Sequence, residues 1–313
     1  MTQPTNMKAV ICTTYGAPEV LQLTTLKKPV PKDNEVLVKI HATAVNSGDV
    51  RVRGLAVDGF MKIIMRFVLG FKGPRKPVLG TIYSGVVEAV GKQVRQFQPG
   101  DEVFGSRGFK FGTYAEYITV AEDSPIDHKP SNATFEEAAA ILFGGMTSAF
   151  FLHKAGIKAG QRVLIYGATG SVGAAGVEIA RSHGAVVTAV CSEQGVELAR
   201  QLGSDAIVVY TSEAYKQLND PFDMVYDAVG KTTKKTFAAL LKPNGIYLTV
   251  GGLSMAKERK KEITFLKQLF EAGKLHAHID KSYLLTEIVE AHRYVDTGRK
   301  KGNVVVKIIA DNA

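Results

Sequence analysis

Up to about residue 126 the apolar positions repeat with the period of strands. Short apolar runs at 8–12, 35–41, 84–90 and 114–120 are punctuated by Pro29, Pro31, Pro99, Gly100 and Gly105, and short strands cut by turn signals predict a β-rich, partly closed barrel. From residue 134 the period becomes helical, and then buried strands at 163–166, 185–190, 206–210, 224–227 and 245–250 alternate with helical segments. That alternation predicts an α/β fold with a doubly wound parallel sheet. Beyond 273 a strand at 275–279, a helix at 284–295 and a strand at 304–309 are too few for a third domain, so they are expected to rejoin the first. The resulting division is a substrate barrel at 1–128, a dinucleotide-binding domain at 129–272 and a return at 273–313.

The exit from the strand at 163–166 carries Gly167, Thr169, Gly170, Ser171, Val172 and Gly173. Gly167 permits a sharp turn, Gly170 lets backbone N–H groups approach a pyrophosphate, and Gly173 lets the next helix pack closely on the sheet. The N-terminal end of that helix favours phosphate. Such a turn is a weak signal alone. Here it lies between a buried strand and a helix that stops at Gly184, with a second buried strand beyond, which makes it the first turn of a dinucleotide-binding βαβ unit. NAD-binding units close the second strand with an acidic residue that binds the ribose hydroxyls. Cys191 holds that place, followed by Ser192. With no carboxylate to repel a 2′-phosphate, NADPH is expected over NADH, by a modest margin because Arg200 is the first base beyond.

The chain has 313 residues, of which 45% are hydrophobic and 22% charged, ordinary values for a globular enzyme. Cys12 and Cys191 are its only cysteines, too few for a disulfide framework or a zinc cluster, and the expected setting is the reducing cytoplasm. The first six residues show no targeting pattern, and the apolar stretch 138–152, broken by Gly144 and Gly145, is too short to span a bilayer. The net charge of +9 is spread along the sequence, which predicts a solvated basic surface and no nucleic-acid partner. One segment concentrates it. Between 61 and 76, Lys62, Arg66, Lys72, Arg75 and Lys76 interleave with Ile63, Ile64, Phe67, Val68, Leu69 and Phe71, the make-up either of a helix lying on a membrane surface or of an insert beside a substrate cleft.

The order barrel, cofactor domain, return, together with the stretches 7–10 (MKAV), 44–49 (AVNSGD), 99–104 (PGDEVF), 167–173 and 290–293 (EAHR), resembles the medium-chain dehydrogenase/reductase superfamily over essentially the whole chain. Within it the sequence resembles the zinc-free quinone oxidoreductase, or ζ-crystallin-like, branch. The resemblance implies a GroES-like barrel beside a Rossmann domain, a homodimer, and NADPH as cofactor. It implies contacts from Asn46 and Thr147 near the nicotinamide and from Thr169, Gly170, Ser171 and Val172 on the pyrophosphate. Ser192 and Tyr210 would lie near the adenosine phosphate, and Gly251 and Gly252 where the backbone passes the nicotinamide.

Zinc-dependent members of that superfamily carry a Cys and a Gly-His-Glu where this chain has Asn46 and the run Gly80, Thr81, Ile82. None of these is a usual zinc ligand, so no metal is expected. Oxidising an unactivated alcohol normally draws on a Lewis acid, whereas a quinone or an α,β-unsaturated carbonyl is already electrophilic. It needs a well-placed hydride donor and a hydrogen-bond donor for the oxyanion that develops. Asn46 and Tyr83 are the candidate catalytic residues, although Tyr83 suits a packed aromatic better than a proton donor. The expected function is NADPH-dependent, metal-free hydride transfer to quinones or enones. The alternative is a non-catalytic, crystallin-like NADPH-binding protein with affinity for RNA or a membrane surface.

Overall fold

The computed structural model describes residues 5–56, 59–212, 214–251 and 256–308. In chain order, β1 (Asn6–Cys12), β2 (Leu21–Lys27) and β3 (Glu35–Val45) precede α1 (Ser47–Gly54) and α2 (Phe60–Leu69), which lead to β4 (Ile82–Val90), β5 (Glu102–Ser106), β6 (Tyr117–Ala121) and β7 (Ile126–His128). Helix α3 (Phe135–Lys154) opens the alternation β8 (Arg162–Tyr166), α4 (Ser171–Ser182), β9 (Val186–Cys191), α5 (Val196–Gln201), β10 (Ala206–Val209), β11 (Phe222–Asp227), β12 (Leu241–Thr249) and α6 (Lys260–Glu271). The last elements are β13 (Ile279–Leu284), α7 (Ile288–Asp296) and β14 (Asn303–Lys307).

The chain divides into two compact units, Met1–Leu142 with Ile279–Ala313, and Phe143–His278. The first boundary falls inside α3 rather than at 128/129, because one continuous helix carries the chain from one unit into the next. In the first unit the strands run β13-β14-β3-β4-β5-β7, with β6 also pairing β3, and β1 and β2 form a separate hairpin. The return is secured by β14, whose Val304 to Lys307 pair antiparallel with 42–45 of β3. Val36, Val38, Ile40, Tyr83, Val103 and Ile118 form one core of this unit. Val10, Leu79, Tyr114, Ala291 and Val304 belong to another.

The second unit is a parallel sheet in the order β10-β9-β8-β11-β12. It is a Rossmann-type α/β sheet whose strand order reverses between β8 and β11, and ligands of such sheets bind at the strands' carboxyl ends beside that reversal. By length and composition α3 is apolar enough to cross a bilayer, yet 72% of its apolar window is buried in the fold. The strand expected at 275–279 is absent there. Leu275 and Ala277 are buried, but the backbone N–H of His276 donates to Glu178 Oε2 at 3.1 Å instead of joining a ladder, and the strand begins only at Ile279.

Candidate functional site

Strand register brings most of the expected cofactor residues to one edge of the parallel sheet. Val209 of β10 sits opposite Cys191 of β9, Tyr166 of β8 opposite Val190 of β9, and Asp227 of β11 opposite both Tyr166 and Thr249. The residues that follow these strand ends are Tyr210, Ser192, Gly167 and, two beyond Thr249, Gly251. A parallel ladder therefore lines them up at the carboxyl edge although Gly167 and Gly251 are 84 positions apart in sequence. Gly252 lies outside the described residues.

The three motif glycines serve different ends. Gly167 has φ +76°, and a Cβ there would overlap Val229 Cγ2. A Cβ on Gly173 would overlap the Gly167 carbonyl oxygen and stand 2.7 Å from Ala168 Cα, so this glycine seats the first turn of α4 against the strand exit. Gly170 is the N-cap of α4 at φ −79° and ψ 170°, an extended conformation open to any residue. A Cβ there would meet only Gly167 O, at 3.7 Å. As a glycine, Gly170 brings no side chain of its own to cap the helix. The space beside its first-turn N–H groups is thus left open by the missing side chain, which is the shape a pyrophosphate requires. Thr169, Ser171 and Val172 around it are buried.

Helix α3 closes on the same turn. A Cβ on Gly144 would overlap the Ser171 carbonyl, and Ser148 Oγ donates to Val172 O at 2.7 Å. Thr147, between them, is half-buried, and its hydroxyl donates to Phe143 O at 2.8 Å. Its oxygen lone pairs can still accept. At the far side of the edge the sequence reading missed Asp227. This fully buried carboxylate accepts through Oδ1 from the N–H groups of Val229 at 3.0 Å and Gly230 at 2.9 Å. Through Oδ2 it accepts from the Thr232 N–H at 2.8 Å and hydroxyl at 2.7 Å. It ties down the loop after β11, which Gly230, at φ +79°, brings so close to Gly251 that a Cβ would come within 2.8 Å of the Gly251 nitrogen. An Asp closing a strand three residues before a glycine was the available signal.

At the ribose end the Cys191 thiol is buried, and desolvation raises its pKa, keeping it neutral. Ser192 is half-buried and caps nothing with its side chain. Tyr210 is exposed, its ring centroid 6.2 Å from that of Tyr166. Arg200 is exposed and paired with Glu197, its neighbour three residues back.

The barrel residues have other partners. Asn46 is the buried N-cap of α1: Oδ1 accepts from the N–H of Gly48 at 2.8 Å and of Asp49 at 3.1 Å, while Asp49 Oδ2 accepts from the Asn46 N–H at 3.0 Å. Nδ2 donates to Thr81 Oγ1 at 2.9 Å, which commits one of its two N–H bonds. Tyr83 requires correction as a proton donor. It has no exposed surface, its hydroxyl has no hydrogen-bond partner, its ring belongs to the barrel core, and burial drives its pKa far upward. Ile82, at a would-be zinc position, is fully buried too. Among the described residues, the His, Cys, Asp and Glu side chains close enough to hold a metal ion are Glu178, His276 and His278 of the nucleotide unit. Glu178 Oε1 lies there 2.8 Å from His276 Nδ1 and 3.0 Å from His278 Nε2.

A reversal point in a parallel sheet, an uncapped helix end opened by Gly170 and glycine-lined strand exits define a dinucleotide-binding unit, joined here to a barrel unit. Residues 32–130 match the family model for the alcohol dehydrogenase GroES-like domain, and 171–277 and 253–306 match models described as zinc-binding dehydrogenase. The chain is 34% identical over 326 residues to 2-methylene-furan-3-one reductase of Solanum lycopersicum, covering 97% of this chain and 79% of that protein. It is 30% identical to the chloroplastic NADPH-dependent alkenal/one oxidoreductase of Arabidopsis thaliana, over 97% and 80% of the two chains. The quinone oxidoreductase structure from Coxiella burnetii superposes with a TM-score of 0.86 at 27% identity, covering 97% of this chain and all of that one. The chain belongs to the medium-chain dehydrogenase/reductase superfamily, and its relatives include quinone oxidoreductases and enone reductases. It is an oxidoreductase of a family whose members use a nicotinamide cofactor.

Proposed function

We propose that the protein is an NADPH-dependent, metal-free reductase of quinones or α,β-unsaturated carbonyls. The observation that carries the reading is the open space at Gly170 over the uncapped end of α4. Gly170, Ser171 and Val172 would hold the pyrophosphate, Ser192 and Tyr210 the adenosine phosphate, and Gly251 with Thr147 the nicotinamide end. The neutral Cys191 puts no charge against a 2′-phosphate. When bound, the cofactor supplies a hydride. The second N–H of the Asn46 amide is the donor we assign to the oxyanion of the acceptor, since its carbonyl oxygen is spent on the α1 cap.

The metal-free part of the reading rests on donor chemistry. Thr81 accepts from Asn46, Ile82 is a buried apolar residue, and neither they nor an amide is a usual zinc ligand. The names of the tomato and Arabidopsis relatives support enone-type acceptors, the Coxiella structure supports quinones, and the Arabidopsis protein supports NADPH. Turnover measured with NADPH and with NADH against a panel of quinones and enones tests the proposal. A higher kcat/KM with NADH overturns the cofactor choice, and cofactor binding without turnover on any acceptor favours the binding-protein alternative. One tightly held zinc per chain by elemental analysis overturns the metal-free part.

A further inference from the structure

Helix α2 is apolar on two opposite faces. Leu69 is buried and Met65 partly buried in the core of the barrel unit. At about 100° per residue, Ile63, Ile64 and Phe67 fall on the far side, with Val68 on one flank and Lys62 and Arg66 on the other. The far side is open: exposure runs from 38% at Ile64 to 59% at Phe67. Phe71, edge-on to Phe67 with ring centroids 4.9 Å apart, extends the same surface. Of the twelve exposed large hydrophobic residues among those described, five fall between 63 and 71. A surface helix ordinarily turns its polar face to water, and a contiguous apolar patch marks an interaction surface.

This surface is held in place. The Tyr15 hydroxyl donates to Gly70 O at 2.8 Å, the Arg75 N–H donates to Leu69 O at 2.6 Å, and the Cys12 N–H donates to Pro77 O at 2.7 Å. Gly73 passes so close to the exit of β1 that a Cβ would lie 3.0 Å from Thr14 Cα. Around the apolar stripe, Lys62, Arg66, Lys72, Arg75 and Lys76 are all exposed, and between 59 and 87 the sequence has no Asp or Glu.

We propose that α2 and the loop after it dock the protein on anionic lipid membranes. Ile63, Ile64, Phe67, Val68 and Phe71 enter the boundary between headgroups and acyl chains, and the five bases face lipid phosphates and carboxylates. Charge argues against a second copy: a two-fold interface would set this patch on itself, opposing five bases with five, and the stretch 59–87 supplies no acid to pair them. The exposed apolar centre decides against nucleic acid, whose surface is charged. This inference does not depend on the proposed substrate.

The test is co-sedimentation of the full chain with vesicles of phosphatidylcholine alone and of phosphatidylcholine with phosphatidylserine. Binding is expected only to the second and should fall as salt rises. The variants Phe67→Ser/Val68→Ser and Lys62→Glu/Arg66→Glu should each weaken it by about tenfold or more. Their thermal midpoints should match the parent, because all four side chains face solvent. Absence of binding to the anionic vesicles, equal binding to neutral ones, or full binding by either variant overturns the proposal. So does a dimer in light scattering that Phe67→Ser/Val68→Ser dissolves while vesicles capture nothing, since the face would then belong to a second copy.

Discussion

The glycine turn of the nucleotide unit and the polar residues of the barrel unit were both candidates for chemistry, and the structure treats them in opposite ways. In the turn, the proposed role rests on side-chain atoms that are missing, so the spacing of three glycines in the sequence points directly to a shape. In the barrel, Asn46 and Tyr83 carry their groups on side chains whose use depends on neighbours far along the chain. Thr81 takes one Asn46 N–H, and Tyr83 is sealed in a core built from strands between residues 36 and 126. Backbone shape is local information, whereas the availability of a polar group is not.

The sharpest break in this comparison would come within the turn itself. Gly173→Val must push a Cβ into the Gly167 carbonyl, which is backbone and cannot step aside, so a loss of about 3 kcal/mol or more is expected in denaturant unfolding. At Gly170 an added Cβ meets nothing closer than 3.7 Å, so Gly170→Val should unfold much more like the parent than Gly173→Val does. Its nicotinamide-cofactor affinity should nevertheless fall by roughly 100-fold, about 2.7 kcal/mol, read by titration. Equal effects of the two substitutions on stability would erase the distinction between a packing glycine and a binding one.

The barrel side is sharpened by pH. His292 is buried, with Nε2 3.1 Å from the Tyr114 hydroxyl. Burial, and then the Arg53 charge, lower its pKa from the usual 6.5 to about 3. The native ring stays neutral while the unfolded chain takes up a proton below pH 6.5, so the unfolded state binds more protons. Stability is therefore fully present above that pH and falls as pH drops towards 3, by up to about 1.4 kcal/mol per unit. Urea midpoints of the parent and His292→Gln at pH 7 and pH 5 should show the shallower dependence in the variant. The smallest effect is expected of Tyr83→Phe. Removing a buried hydroxyl without a partner should leave turnover unchanged and raise stability by about 1 kcal/mol. A clear fall in kcat would restore Tyr83 to the catalytic set.

Read by itself, the sequence determined the order of barrel, parallel sheet and return, because strand and helix periods and glycine punctuation act over a few residues. It also determined the three-glycine turn and the basic, apolar run that becomes α2. Only the tertiary structure decided that Gly170 is open while Gly173 is packed, although both are glycines three residues apart. The parallel register set Ser192, Tyr210, Gly167 and Gly251 along one edge and gave Asp227 its loop-fastening bonds. Likewise, 275–279 reads as a strand by composition, but a strand needs a partner edge, and the segment spends a backbone N–H on Glu178 instead. Period and turn chemistry are properties of neighbours in sequence. Burial, hydrogen-bond satisfaction and register depend on residues that folding brings together from far apart.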